Sequence, residues 1–357
     1  MSGSPFPHHG PLRPEQVSGR DDLITTLHDQ LASHRVTALL GPRRYGKTSV
    51  LRRVAADLEE ASVSVVSVDL FEVTSMVDVA LRLDAALASS RGRFAELARR
   101  LAASLEVSLG GVKLTFARPA RPDPLATVHV LLDVLVESSI VTPTVVLFDE
   151  FSSITTVGGV AGLFRTKLQH HFDRIGLLFA GSLPSTMRTL FSEREQPFYG
   201  QADLITIDPL SASTVHDLIT RGFAENDRDP GLLDSHVYRF CRGHPRRTMQ
   251  VADHAWDLAE PGVPYSDALW ARTVAEVEAA TDDANETFFA GFSDAEKKAL
   301  RVLASGGSVY GRAAELAGLH PSSARRSLTS LTDAGVLVEG ALVDPLFAHW
   351  LRGRLPI

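Results

Sequence analysis

Eight consecutive residues, Gly41-Pro42-Arg43-Arg44-Tyr45-Gly46-Lys47-Thr48, fit the pattern GxxxxGK[ST]. The chemistry of that spacing is phosphate binding. Glycines let the backbone curl so that several N–H groups point at one anion. A helix opening after the loop adds the positive end of its dipole. Lys47 then supplies a point charge for β- and γ-phosphates, and Thr48 a hydroxyl for Mg²⁺. Pro42, Arg43, Arg44, Tyr45 and Ser49 belong to the same candidate site by position.

A second candidate group lies at Val145-Val146-Leu147-Phe148-Asp149-Glu150. Four apolar residues make a buried strand that ends in two acids. Asp149 suits the coordination shell of Mg²⁺, and Glu150 the orientation or deprotonation of a water. Asp149 alone would also fit a helix-capping acid after a strand. Two adjacent acids downstream of a phosphate loop favour the catalytic role. Gly181-Ser182 closes another apolar run, and a polar side chain there would lie between the acids and a γ-phosphate, although Gly-Ser also marks turns.

These groups need elements to hold them. Short apolar runs at Arg35–Leu40, Val63–Leu70, Thr144–Phe148, Gly176–Ala180 and Leu204–Ile207 read as five strands, with helical patterns between them, the first over Gly46–Leu58. The alternation predicts an α/β fold with a parallel sheet and helices on both faces. One segment departs from it. Leu105–Phe116 alternates around Gly110-Gly111, a hairpin signal; it packs on its own domain or offers a partner surface. After Pro209 the pattern is helical: Ser213–Asn226, Gly231–Cys241, Arg246–Leu258 and Ser266–Phe288. Ser293 and Glu296 form a capping box that opens a further unit. The expected organisation is a flexible tail at 1–16, an α/β core at 17–210 with a hairpin near 105–116, a helical lid at 211–291 and a last domain at 292–357.

The order of phosphate loop, VVLFDE, LLFAGS and GHPRR resembles the AAA+ class of P-loop ATPases. More narrowly it is similar to the archaeal-type ATPases, relatives of STAND NTPases and origin-recognition initiators. Val17-Ser18-Gly19-Arg20 resembles the family's hhGR box, which implies that Gly19 and Arg20 line an adenine pocket. Gly181-Ser182 matches its sensor-1 position. Leu190-Phe191 to Pro197-Phe198-Tyr199-Gly200 resembles its "LF…PLYGRA" segment, and Asp344-Pro-Leu-Phe-Ala-His-Trp350 the family's chain ending. Gly243-His244-Pro245 resembles the GxP motif, and Arg246 falls where related initiators carry a sensor-2 arginine. The resemblance implies a five-stranded parallel core, a helical lid and bound ATP or ADP with Mg²⁺. The family's YGRA reads Tyr199-Gly200-Gln201-Ala202 here, so the arginine that often acts in trans on a neighbour's nucleotide is replaced by Gln201. Arg188 and Arg194 lie nearby as substitutes or as plain surface residues.

Residues 292–357 read as a winged helix-turn-helix domain. Helices are expected at Asp294–Ser305, Gly311–Leu316 and Ser322–Thr332, then a wing at Val336–Glu339 and Ala341–Val343, then a closing helix at Pro345–Arg354. In a DNA reader the third helix enters the major groove, with Arg325 and Arg326 on phosphates or guanine edges. The unit has eight Lys and Arg against six Asp and Glu, so protein contact or packing on the core competes with DNA.

Composition sets the outer bounds. The chain of 357 residues is 44% hydrophobic and 22% charged, with net charge -7. That excludes retention on nucleic acid by bulk charge. A single cysteine, Cys241, excludes a disulfide framework and a cysteine zinc site, and fits a reducing, cytoplasmic setting. No uninterrupted apolar run reaches the roughly 18 residues of a membrane span, so no membrane partner is expected. Met1–Pro14, rich in Pro, Gly, Ser and His, lacks a signal-peptide pattern and reads as a mobile tail. Three functions fit: a Mg²⁺-dependent ATPase acting as a switch or motor, with nucleotide, duplex DNA and self-association as candidate partners; a non-hydrolysing nucleotide-gated scaffold whose lid and winged helix bind proteins; or a DNA-binding regulator whose ATPase only sets affinity.

Overall fold

A computed structural model of the chain describes residues 3–91, 94–100, 123–225 and 227–354. The hairpin expected near 105–116 lies outside the described residues. Five strands form one parallel sheet: β1 Val36–Leu40, β2 Ser64–Asp69, β3 Thr144–Asp149, β4 Ile175–Gly181 and β5 Asp203–Thr206, in the order β2-β3-β4-β1-β5. β1, β3 and β4 lie inside the sheet and are buried on both faces, which is why they appear in the sequence as unbroken apolar runs. β1 pairs with β4 from Val36↔Leu177 to Leu40↔Gly181, and with β5 up to Leu40↔Thr206.

Alternate residues of each strand feed two cores. Ala38, Leu40, Val146, Phe148, Leu177 and Phe179 face one cluster. Leu39, Val145, Leu147, Leu178 and Ala180 face the other. The first is aromatic: Phe148 stacks on Phe179 at 5.2 Å, and Phe151 lies 4.4 Å from Phe179. Each such ring contributes about 1.5–3 kcal/mol by burial. This packing fixes the carboxyl end of β3, where the two acids sit.

Helices α1 Asp21–Ala32, α2 Lys47–Glu60, α3 Met76–Ser89, α4 Pro124–Val141, α5 Val160–Leu168 and α6 Pro184–Ser192 surround the sheet. α4 corrects one expectation. By length and composition it is apolar enough to cross a membrane, with mean hydropathy 1.6 over 18 residues. His129, Asp133 and Glu137 interrupt the run in sequence without lowering the average below that mark. Here α4 packs on α3 and α5 and buries Val128, Leu132 and Leu135.

The lid consists of α7 Ala212–Ala224, α8 Leu233–Cys241, α9 Pro245–Leu258 and α10 Asp267–Ala290. Its core takes in Val215, Ile219, Phe223, Val251 and Trp256. Phe6 joins the same core at 2% exposure, 5.9 Å from Phe223. The N-terminal segment, expected as a flexible tail, is therefore anchored in this core through Phe6. A lone aromatic residue in a Pro- and Gly-rich stretch found a tertiary partner that composition does not reveal.

The last unit contains α11 Asp294–Ala304, α12 Arg312–Leu316, α13 Pro321–Asp333, the antiparallel pair β6 Leu337–Val338 and β7 Ala341–Leu342, and α14 Pro345–Arg354. Three helices, a strand pair and a closing helix thus follow one another in the order expected for residues 292–357. The Ser293–Glu296 capping box opens α11 as expected. α14 packs on α8 and α10, and α13 packs on α6. Trp350 Nε1 donates to Asp282 Oδ1 at 2.7 Å, tying α14 to α10.

Candidate nucleotide site

The loop after β1 turns into α2 at Gly46, which has φ +88° and serves as the helix N-cap. L side chains rarely adopt that conformation, so glycine is required there. Lys47 is only 4% exposed, and its Nζ donates to Gly41 O and Pro42 O, each at 2.9 Å. Burial pushes its pKa down to about 8, against the pull of Glu150 and Asp149 in the other direction. The ammonium thus rests on two loop carbonyls, desolvated and, among the described residues, without an ion pair.

Thr48 Oγ1 donates to Asp149 Oδ2 at 2.6 Å. Burial raises the Asp149 carboxyl, and the Thr48 bond holds it partly down. Glu150 has φ +51°, the left-handed region, which a non-glycine residue occupies only when its surroundings dictate it. Its N–H donates to Asp149 Oδ1 at 3.0 Å. Ser182 N–H donates to Glu150 Oε2 at 3.2 Å, and Ser182 Oγ donates to Oε1. Both carboxylate oxygens of Glu150 are therefore held by Ser182 at the tip of β4. The sheet brings the three tips of β1, β3 and β4 side by side.

The lid contributes Gly243-His244-Pro245. Gly243 has φ +70°, and a Cβ there would lie 2.1 Å from Leu210 O. His244 is the N-cap of α9, accepting from Arg247 N–H at 3.4 Å, and Pro245 takes the first helical position. The His244 ring meets Tyr45 of the phosphate loop edge-on at 5.0 Å. Burial pushes His244 down to about 4, so it is neutral at pH 7.

These parts enclose a cavity of about 360 Å³, within the range of small-ligand sites. Its wall includes the polar Lys47, Thr48, Glu150, Ser182 and Arg246 and the apolar Leu12, Val17, Leu218 and Met249. Arg20, Arg44, Tyr45, Gly46, Ser49 and Pro245 also line it. Arg20 Nη2 is buried and, among the described residues, has no hydrogen-bond partner. An orphaned guanidinium nitrogen at a cavity wall fits an anionic or polar ligand.

Other expected residues stand elsewhere. Gly41 and Pro42 lie behind the cavity, where their carbonyls hold Lys47. Gly19 packs against Thr214, where a Cβ would lie 2.0 Å from Cγ2. Asp149 sits behind Thr48, and Arg43 is exposed outside the lining. Arg325 and Arg326 lie apart on α13, both exposed, with Thr329, Ser330 and Asp333 in a shallow hollow. Cys241 is buried, and burial raises its thiol well above the usual range, so it is no nucleophile.

Sequence reasoning missed the N-terminal wall. Pro7, His8, Gly10, Pro11 and Leu12 line the cavity. Leu12 N–H donates to Ser49 Oγ at 3.0 Å, and Arg246 Nε donates to His8 O at 3.3 Å. Phe6 was the one signal that this segment packs.

No protein-family model matches the sequence, and no curated protein matches it. Solved structures do. The Walker-type ATPase of Pyrococcus abyssi superposes with TM-score 0.68 at 18% identity, over 98% of this chain and 99% of that one. The ORC2 protein of Aeropyrum pernix, solved as ADPNP–ADP complexes, gives 0.53 at 15%, over 98% of each chain. The ORC1 protein of Aeropyrum pernix in complex with DNA gives 0.50 at 17%, over 98% and 94%. The chain has the fold of these three proteins along nearly its whole length.

Proposed function

We propose that this chain binds ATP in the cavity between core and lid and hydrolyses it to ADP and phosphate. The convergence of Lys47, Thr48–Asp149, Glu150–Ser182 and Arg246 on one cavity carries the reading. Phosphate oxygens displace the Gly41 and Pro42 carbonyls as partners of the Lys47 ammonium. Arg20 and Arg246 offer guanidinium groups from the core side and the lid side. The apolar side chains of the wall, Leu12, Val17, Leu218 and Met249, accept the base. Glu150 takes up the proton of the attacking water once the γ-phosphate draws Ser182 away from it. The Thr48 hydroxyl and Asp149 carboxylate, already in contact, suit a Mg²⁺ ion, whose chemistry here is neutralising charge on the β- and γ-oxygens. A cytoplasmic setting fits a chain with a single, buried cysteine, Cys241.

Lys47 gives this reading a pH signature. An anion beside the ammonium raises its pKa again, so binding takes up a proton wherever the free site has lost one. Affinity is level below pH 8 on this account. Above about 8 it falls by up to tenfold per pH unit until the pKa of the bound state is reached. Titration with ADP at pH 7, 8 and 9 measures it, and equal affinities at all three would contradict the role of Lys47.

Arg325 and Arg326 support association with duplex DNA through α13, since both are exposed on one helix and, among the described residues, neither forms a salt bridge. Replacing both by Ala should weaken binding and reduce the slope of log K against log salt by about 1.8, at 0.9 per phosphate contact. Unchanged binding would remove α13 as the reader and leave its face for protein contacts.

A nucleotide-gated scaffold with negligible turnover is the second reading. Gln201 motivates it, standing where the resemblance expects a trans-acting arginine. Among the described residues its Oε1 is buried without a partner. Arg188 and Arg194 are exposed and remain available to a second copy.

A further inference from the structure

The two arginines of GHPRR diverge. Arg246 lines the cavity. Arg247 turns the other way, into the last unit of the chain. Its Nε donates to both carboxylate oxygens of Asp344 at 3.0 Å, its Nη2 donates to Oδ2 at 2.5 Å, and its Nη1 donates to Gln250 Oε1 at 2.6 Å. Arg247 is 7% exposed and the Asp344 side chain 24%, so the guanidinium is the more withdrawn partner. Such forked, charge-assisted bonds are among the strongest side-chain contacts.

Asp344 does two things at once. Its Oδ1 also accepts from Leu346 N–H at 3.0 Å and Phe347 N–H at 3.3 Å, capping α14. Burial pushes its carboxyl up, but the bonds and charge of Arg247 outweigh this and hold it below the usual range. Leu346, in the turn it caps, is buried in the lid core. A contiguous chain of contacts therefore runs from Tyr45 in the phosphate loop to His244, Arg247, Asp344 and the first turn of α14. The same unit also touches the core beside the acids. A Cβ on Gly335 would lie 3.1 Å from Leu183 Cδ2, the residue after Ser182.

We propose that Asp344 is a positioning residue for the nucleotide cavity: by gripping Arg247 it fixes the first turn of α9, keeps Arg246 at the cavity wall, and couples what the cavity holds to the docking of the last unit. The inference rests on the nucleotide reading above. Coupling of this kind is reciprocal, so a ligand on the exposed face of α13 changes nucleotide affinity by the same factor that nucleotide changes its own.

Hydrogen exchange at residues 346–348, with and without Mg²⁺ and ADP, reads the coupling. In the wild type, ADP changes exchange there by about fivefold or more. Asp344→Asn tests the charge separately from the cap, because Asn caps helices as well as Asp does. It should still bind ADP, since Lys47 and Thr48 are untouched, but lose the response at 346–348. The charge left on Arg247 is a hazard for folding, so Asp344→Asn with Arg247→Gln removes both charges together and should also be uncoupled. Asp344→Glu should restore part of the response, which a purely structural role would not require. ADP binding to the wild type without any change at 346–348, or a double variant that keeps the response, overturns the proposal. Failure of the wild type to bind ADP at all takes down the nucleotide reading and this inference with it.

Discussion

Lys47→Ala abolishes nucleotide binding at concentrations that saturate the wild type, with affinity reduced at least about a hundredfold. The estimate follows from what the ammonium does. It makes two 2.9 Å bonds to carbonyls in the free loop, and each bond from a charged donor to phosphate is worth about 1.5–3 kcal/mol. A hundredfold corresponds to about 2.7 kcal/mol. The fold should survive, because the side chain removed is a desolvated cation that, among the described residues, has no ion pair and leaves two carbonyl oxygens behind. Fluorescent-nucleotide titration with a thermal melt as control checks both halves. Undiminished binding by a folded Lys47→Ala protein would end the site assignment.

Glu150→Gln keeps ATP bound and lowers turnover by about 10²–10⁴, the range for loss of a positioned general base. The amide has the shape of the carboxylate and retains one acceptor for Ser182. It cannot take a proton from water. Its left-handed backbone is unchanged by the substitution, so the strain at this position is the same in both proteins. Single-turnover measurements separate the chemical step from release. Equal rates in the two proteins would assign Glu150 to structure instead.

The parts of this site that local sequence dictates were legible in it. A phosphate loop is a contiguous run, and β3 with its two acids is another; their residue types follow from backbone geometry and burial on both sheet faces. Gly243-His244-Pro245 was legible as a motif, and the structure supplies its reasons: a close approach to Leu210, an N-cap and a first-turn proline. What was not legible depends on contacts between distant residues. Phe6 reaches the lid core across more than two hundred residues of chain, and polar composition around it suggested a loose tail. Arg246 and Arg247 look alike in sequence, and only the fold tells which faces the cavity and which faces Asp344. The apolar character of α4 was hidden by three ionisable residues, His129, Asp133 and Glu137, spaced along it.

The account turns on whether the cavity performs chemistry, and steady-state phosphate release from ATP with Mg²⁺ measures that directly. Wild-type protein should release phosphate continuously, and Glu150→Gln, shown by titration to bind ATP, should release at least about a hundredfold less. Equal release from the two proteins would contradict the account. So would a wild type that holds ATP and releases no phosphate above the variant, which would make the chain a nucleotide-gated scaffold.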